Sequence, residues 1–374
     1  MNLIFKLLIF LTISTNAYAF GDKNDYTSVK KAFETETPPL FDYIGNKKFC
    51  KRATLYTIPY TKLNTGATSM VGESGKLKAH FFAISFGHAI ASYLEGELNS
   101  DLSYKKKEFI NKFIPYLVKA ANDKYFTINK WTKGGSSVAY AQTMILINLS
   151  ILMDFMDNKN LWKDGQRVKI VKWGNILYKK SHYGHSSNGG RKQSDRWPDT
   201  VSKAAAAYML WGYVNKDLKI FKDGFRDLMK EYNKIPADGK YHQHYKGKYA
   251  GEIKDSWDLF LENKTLGDLV IASYVGELVG MKTFNKTNKK GGNIKKAIDY
   301  LGKISTDPET LKGQDEKHLK NLTADGNSWM TIYRKLDPDD KNPLVDLHLK
   351  TSEEKGYGFS QILNYSRCIN NEIN

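Results

Sequence analysis

Only two cysteines occur in the 374-residue chain, Cys50 and Cys368, near opposite ends. That scarcity excludes a disulfide-dense scaffold, and neither residue has a second Cys or a His at metal-ligand spacing. We therefore expect no structural metal and no cofactor. An oxidising compartment permits the two to pair, which would close a very long loop. We expect that bridge, with two buried free thiols as the alternative. Convincing period-two strand patterns are also missing, as is any strict internal repeat, which argues against a sheet-built fold and a solenoid. No RNP, zinc-finger or helix-turn-helix signature is present, so a nucleic-acid partner is not expected.

Long apolar runs are lacking too. The first, Leu7 to Ile13, follows Lys6 and precedes the small-residue pattern Ala17-Tyr18-Ala19. It is too short to span a bilayer and reads as a secretory signal cut after Ala19. No later segment suggests a transmembrane helix. The expectation is a soluble periplasmic or secreted protein. Cutting 19 residues from 374 leaves 355, which suits one large domain.

Acidic residues fall short of basic ones, 40 Asp and Glu against 57 Lys and Arg. Loss of Lys6 with the signal lowers the net charge only from +17 to +16. Charge of this size attracts polyanions over long range. For an exported protein the expected partner is an acidic polysaccharide, engaged by a monomer.

What the sequence does contain is helical periodicity. Residues 20–78 look irregular, with Thr37-Pro38-Pro39 and scattered Gly. Helical patterns then run over 81–94, over 107–121 with a kink at Pro115, and over 136–156, where Ala141, Ile145, Leu149, Leu152 and Met156 form one stripe. Further helices are predicted over 166–180, 200–214, 217–232, 265–278, 294–304 and 328–336. Asp199 reads as an N-cap, and Tyr208, Met209 and Trp211 as core. Helices of this length in antiparallel pairs predict an all-α protein, an incomplete (α/α) toroid or barrel, as a single domain over residues 20–374.

One window concentrates chemistry. His182, Tyr183, Gly184 and His185 lead into Asn188, Gly189, Gly190 and Arg191, then Arg196, Trp197, Pro198 and Asp199. After two helical patterns come Tyr241, His242, Gln243, His244 and Tyr245. Four of the eight histidines lie in these two stretches, which read as loops flanking a helical hairpin. A site is expected where they converge. His242 and His244 invite a metal, yet no carboxylate stands at a telling spacing.

The order of features resembles the alginate lyase, or poly(mannuronate) lyase, family of the α/α-toroid type. The resemblance rests on Ser136-Ser137-Val138-Ala139-Tyr140-Ala141-Gln142, on Trp173 through the 184–197 segment, and on Asn215-Lys216-Asp217-Leu218. It extends to Ala237-Asp238-Gly239 and to Trp329-Met330-Thr331-Ile332-Tyr333-Arg334, covering about residues 80–365. It departs from the family at the catalytic helix. Where the family carries Asn-Asn-His-x-x-Trp, this chain reads Arg196-Trp197-Pro198-Asp199-Thr200-Val201, and the family's later catalytic Tyr falls near Phe260 or Leu261.

The resemblance implies β-elimination of a uronate polymer. That reaction needs the carboxylate beside C5 neutralised, a base for the C5 proton and an acid for the departing O4. We expect His182 or His185 as base, Tyr241 or Tyr245 as acid, and Asn188, Arg191 and Arg196 as carboxylate ligands. Trp197 and Trp257 are expected to stack on sugar, with His242 and His244 beside them. Two other readings stay open. One is a non-catalytic glycan binder on the same fold. The other is a glycoside hydrolase recruiting a carboxylate pair from Asp195, Asp199, Glu252 and Asp255.

Overall fold

A computed structural model describes residues 23–35, 37–45, 72–127, 138–186, 198–241, 256–307, 329–355 and 368. Among them no strand forms, and a lone bridge joins Pro236 to Gly291. The helices are α1 (Lys23–Glu34), α2 (Gly72–Leu98), α3 (Tyr104–Glu108), α4 (Ile114–Asn122), α5 (Val138–Asn158), α6 (Gln166–Ser186), α7 (Pro198–Val214), α8 (Leu218–Tyr232), α9 (Ser256–Leu278), α10 (Ile294–Thr306), α11 (Trp329–Leu336) and α12 (Pro343–Lys355).

Side-chain contacts give the helix directions. Asp199 faces Lys264 at 4.0 Å and Lys203 faces Asp268 at 3.0 Å, so α7 and α9 run parallel. Tyr208 donates to Ser181 at 3.0 Å and Trp211 to Asn175 at 2.9 Å, while Arg167 reaches Val214 O at 3.3 Å. Numbers rise along α7 as they fall along α6, so these two are antiparallel. Tyr93 near the end of α2 meets Phe155 near the end of α5, with ring centroids 5.3 Å apart. The result is an inner layer of parallel helices, α2, α5, α7 and α9, with α4, α6, α8 and α10 returning between them. This is the expected (α/α) toroid.

Inner helices are buried on every side, which explains their sequences. In α5 all residues from Val138 to Met153 are buried, and in α7 all from Val201 to Tyr213. α5 is by length and composition apolar enough to cross a membrane, yet its apolar window is wholly buried against α2, α6 and α7. Its hydrophobicity belongs to a core helix, a case the sequence reading did not foresee. Return helices are amphipathic: α8 begins at the N-cap Asp217, whose carboxylate accepts from Lys219 N and Ile220 N at 3.0 Å each. The α7–α8 hairpin packs backbone on backbone. A Cβ on Gly212 would lie 2.5 Å from Phe221 N, and one on Gly224 2.6 Å from Met209 N.

Several boundaries differ from the sequence reading. Residues 23–34 are helical, not irregular, and α2 begins at Gly72 and continues through Gly96. α6 runs six residues past Lys180, through Gly184 to Ser186. α9 begins at Ser256 rather than near Thr265, and α12 was not anticipated. Asp199 is not a cap: Pro198 takes the first helical position and Asp199 lies in the first turn. The expected kink at Pro115 takes the form of a π-helical turn over Phe109–Phe113, which widens the helix just ahead of the proline.

The two ends of the toroid are unlike. Inner helices begin at one end, and the segments leading into them (46–71, 128–137, 187–197 and 242–255) lie outside the described residues. We call this the open end. At the other, closed end the turns are short, and residues 37–45 cross it as a strap. Tyr213 donates to Pro38 O and Tyr274 to Leu40 O at 2.6 Å. Leu40 N and the Tyr43 hydroxyl donate to Asp154 at 2.8 and 2.7 Å, and Phe41 stacks on Tyr274 at 5.8 Å.

Candidate active site at the open end

Polarity changes along the inner helices. Their C-terminal halves carry runs such as Ile151, Leu152 and Met153, or Val270, Ile271 and Ala272, all buried. Polar groups are buried along them as well: Ser150, Ser273 and Glu95 towards the C-termini, and towards the N-termini Gln142 and Thr143 on α5, Ser202 and Lys203 on α7, and Glu262 and Asn263 on α9, with Asp268 near the middle of α9. Burying such groups is costly unless they are partnered. A lysine and carboxyls buried together on α7 and α9 therefore need a reason beyond folding.

At their centre is an ion pair. Lys203 and Asp268 are 1 % and 0 % exposed, with Nζ 3.0 Å from Oδ1, and the Ser202 hydroxyl reaches the other carboxylate oxygen at 3.3 Å. Burial pushes the Asp268 carboxyl up, while Lys203 pulls it down. Above the pair lies Tyr140, with two ammonium groups on its ring: Lys203 and Lys264 are each 5.2 Å from the centroid. Burial raises the Tyr140 pKa, and Lys203 opposes that rise, so the phenol keeps its proton at neutral pH. Lys264 is the outermost member. It also lies over Phe260 at 5.4 Å and 4.0 Å from Asp199, and its side chain keeps 15 % exposure. This cluster thus presents a cation at the mouth, a second cation beneath it and a protonated phenol between.

The sequence-predicted residues fall into three groups. Asn188, Arg191, Arg196, Trp197, His242, His244 and Tyr245 lie outside the described residues, as does Cys50. So do Asp195, Glu252 and Asp255 of the hydrolase reading. His182 and His185 lie on the last turns of α6, and Trp257 on the first turn of α9, at the open end as expected but on helices. The His182 ring is half-buried against Tyr178 and Tyr208, with centroids 5.6 and 5.8 Å away. Tyr241 is 1 % exposed, and its hydroxyl donates to Glu231 at 2.6 Å. Burial and the Glu231 carboxylate hold its pKa well above the ordinary value. Tyr241 therefore pins the segment after α8, and its proton is engaged inside the wall.

Sequence reasoning missed Tyr140, Lys203, Lys264 and Asp268. The Lys203–Asp268 partners are 65 residues apart, so only the folded chain pairs them. A charged Lys directly before the alanine run Ala204–Ala207 was the available signal. Trp329, Tyr333 and Arg334 are buried, and Tyr333 donates to Asp340 at 2.6 Å, so that motif is structural. Among the described residues no cluster of His, Cys, Asp and Glu could hold a metal ion.

No family model matches the chain, and no curated protein does. Solved structures do. Alginate lyase A1-III from Sphingomonas species A1 superposes with a TM-score of 0.59 at 12 % identity, over 95 % of this chain and 98 % of that one. A Tyr→Phe variant of A1-III in complex with a tetrasaccharide gives 0.57 at 11 % identity, over 93 % and 94 %. An alginate lyase from Bacteroides ovatus gives 0.53 at 11 % identity, over 89 % and 95 %. Helix directions, the toroid they build and these superpositions agree: the chain has the α/α-toroid fold of the alginate lyases.

Proposed function

We propose that the protein is an exported polysaccharide lyase that cleaves an anionic, alginate-like uronate polymer by β-elimination at the open end. The observation that carries this reading is the buried Lys203–Asp268–Tyr140–Lys264 cluster at that end, in a fold shared with alginate lyases. The net charge of +17 supports a polyanionic substrate.

The chemistry assigns roles. Lys264, at the mouth, neutralises the uronate carboxylate and so acidifies the C5 proton. Lys203 and Asp268 hold Tyr140 and Lys264 in place from below. His185 takes the C5 proton, the C4–C5 double bond forms as the C4–O4 bond breaks, and Tyr245 delivers a proton to O4. We assign the acid to Tyr245 rather than Tyr241, whose hydroxyl is bonded to Glu231. His182, packed between two tyrosines, orients the end of α6 rather than moving protons. Asn188, Arg191, Arg196, Trp197, His242, His244 and Trp257 complete the substrate surface. The signal at residues 1–19 and a Cys50–Cys368 bridge belong to the same reading. Cys368 is fully buried, and no free cysteine occurs among the described residues.

One observation favours a second reading. The family's Asn-His pair is absent at 196–201, which is compatible with a glycan binder that no longer cleaves. The test is mass spectrometry of products from alginate, polymannuronate, polyguluronate, pectate and glucuronan. Unsaturated products lost on His185→Ala and on Tyr245→Ala support the assignment. Unsaturated products made by both variants keep the reaction and reject those residues. Products carrying an added water would indicate a hydrolase. Salt-sensitive binding without any product would indicate the binder.

A further inference from the structure

The closed end carries a cavity that the lyase reading does not use. α9 terminates in a tight turn: Val279 N and Met281 N donate to Gly276 O at 3.2 and 3.0 Å, and Gly280 takes a φ of +79°. The chain then folds back. Thr283 donates to Ser273 O at 2.9 Å, and Phe284 N donates to the Glu277 carboxylate at 2.8 Å. These bonds hold Lys282 at a φ of +25°, where side-chain-bearing residues are rarely found. Facing this loop is the last turn of α11, with Lys335 and Leu336. Between them lies a cavity of about 640 Å³, with Met281 and Phe284 among its apolar walls and Lys282, Lys286 and Lys335 among its polar ones.

Charge in this cavity is unbalanced. Lys282 and Lys335 line it with one carboxylate, Glu277, and that carboxylate already accepts from Phe284 N. Lys335 is half-buried. Burial depresses its pKa, and Asp42 on the strap is the charge that acts against the depression. Among the described residues its ammonium forms no hydrogen bond and no ion pair. Helix carbonyl ends favour a cation at such positions, which accounts for Lys282 and Lys335 following α9 and ending α11. It does not account for a cation withdrawn into a concave wall, or for a loop pinned by four bonds around it. The volume is in the range of small-molecule sites.

We propose that this cavity is a second anion-binding site, which takes a small organic or inorganic anion bearing a carboxylate or phosphate group. Lys282 and Lys335 contact the anionic group, and the apolar walls receive whatever body it carries. The site is separated from the open end by the length of α9, 23 residues or about 35 Å. It stands whether or not the open end is a lyase.

The test is calorimetric titration of the full chain with inorganic phosphate and, separately, with glucuronate, against sodium chloride at equal ionic strength. Variants are Lys335→Met, Lys282→Gln on the exposed loop, and Lys264→Ala at the open end. The expected result is saturable binding of at least one anion with a component that Lys335→Met weakens tenfold or more and Lys282→Gln weakens measurably, and that persists in Lys264→Ala whatever the open end itself binds. Phosphate alone or glucuronate alone would name the class. Absence of saturable binding would overturn the proposal. So would binding lost in Lys264→Ala but kept in both closed-end variants, which would place the anion at the open end. Should Lys335→Met not fold, retention of full affinity by Lys282→Gln would overturn it.

Discussion

At the open end the inner helices bury Lys203 against Asp268, two full charges in contact. At the closed end Asp154 is partly buried, and a backbone N–H and a tyrosine hydroxyl donate to it. Well-packed hydrophobic residues often replace a buried ion pair at no cost. Stability alone thus gives little reason for Lys203 and Asp268, whereas a positioned cation beneath the mouth gives a chemical one. Asp154 has the opposite logic. Its carboxylate tethers a strap that closes the barrel, and with no cation paired to it among the described residues, burial pushes its pKa up to about 7.

Perturbing each end should give different signatures. Lys203→Met leaves Asp268 buried and unpaired, and should destabilise the fold by about 3–5 kcal/mol in urea unfolding. The double change Lys203→Met with Asp268→Leu should recover most of that loss. A small effect of the single change would mean that Asp268 is not buried as charge. The next effect belongs to the closed end and depends on pH. An unfolded Asp titrates near 3.8, the folded Asp154 near 7. Between those values the folded chain holds a proton that the unfolded chain has lost. Asp154 therefore supports the fold most below about pH 4, and that support falls away as pH rises to about 7, by at most about 4 kcal/mol. Asp154→Asn should flatten this dependence in unfolding midpoints taken at pH 5 and pH 8. An unchanged slope would assign it to another group.

Two smaller effects bracket the comparison. Gly224→Ala places a methyl against the Met209 backbone, halfway between the ends, and should cost about 1–3 kcal/mol without altering the pH profile. Lys112→Ala removes an exposed helical pair with Glu108, 2.7 Å long, and should change thermal stability by less than about 0.5 kcal/mol. A larger shift would show that the outer layer contributes more than its exposure suggests.

Legibility in the sequence followed burial and range. The cores of α5, α7 and α8 were readable, because an apolar stripe, an alanine run and the Asp217 cap are local signals. The start of α9 was not, because Glu262, Asn263 and Lys264 look like loop residues until neighbouring helices enclose them. α12 had a readable start: Asn342 precedes Pro343 and accepts from Leu344 N at 3.0 Å, a capped helix with Pro in its first turn. Of the proposed site, the histidines and tyrosines cluster along the chain and are local signals, whereas Tyr140, Lys203, Lys264 and Asp268 come from three helices and meet only in the toroid.

The most direct test is ultraviolet absorbance during incubation of the full chain with polymannuronate, comparing wild type, Lys264→Ala and Lys112→Ala at equal helical content. The account predicts a steady rise from unsaturated uronate with wild type and with Lys112→Ala, and a turnover lower by about 10²-fold or more with Lys264→Ala. A rise that Lys264→Ala leaves intact, or no rise with that polymer or any other uronate polymer, would contradict it.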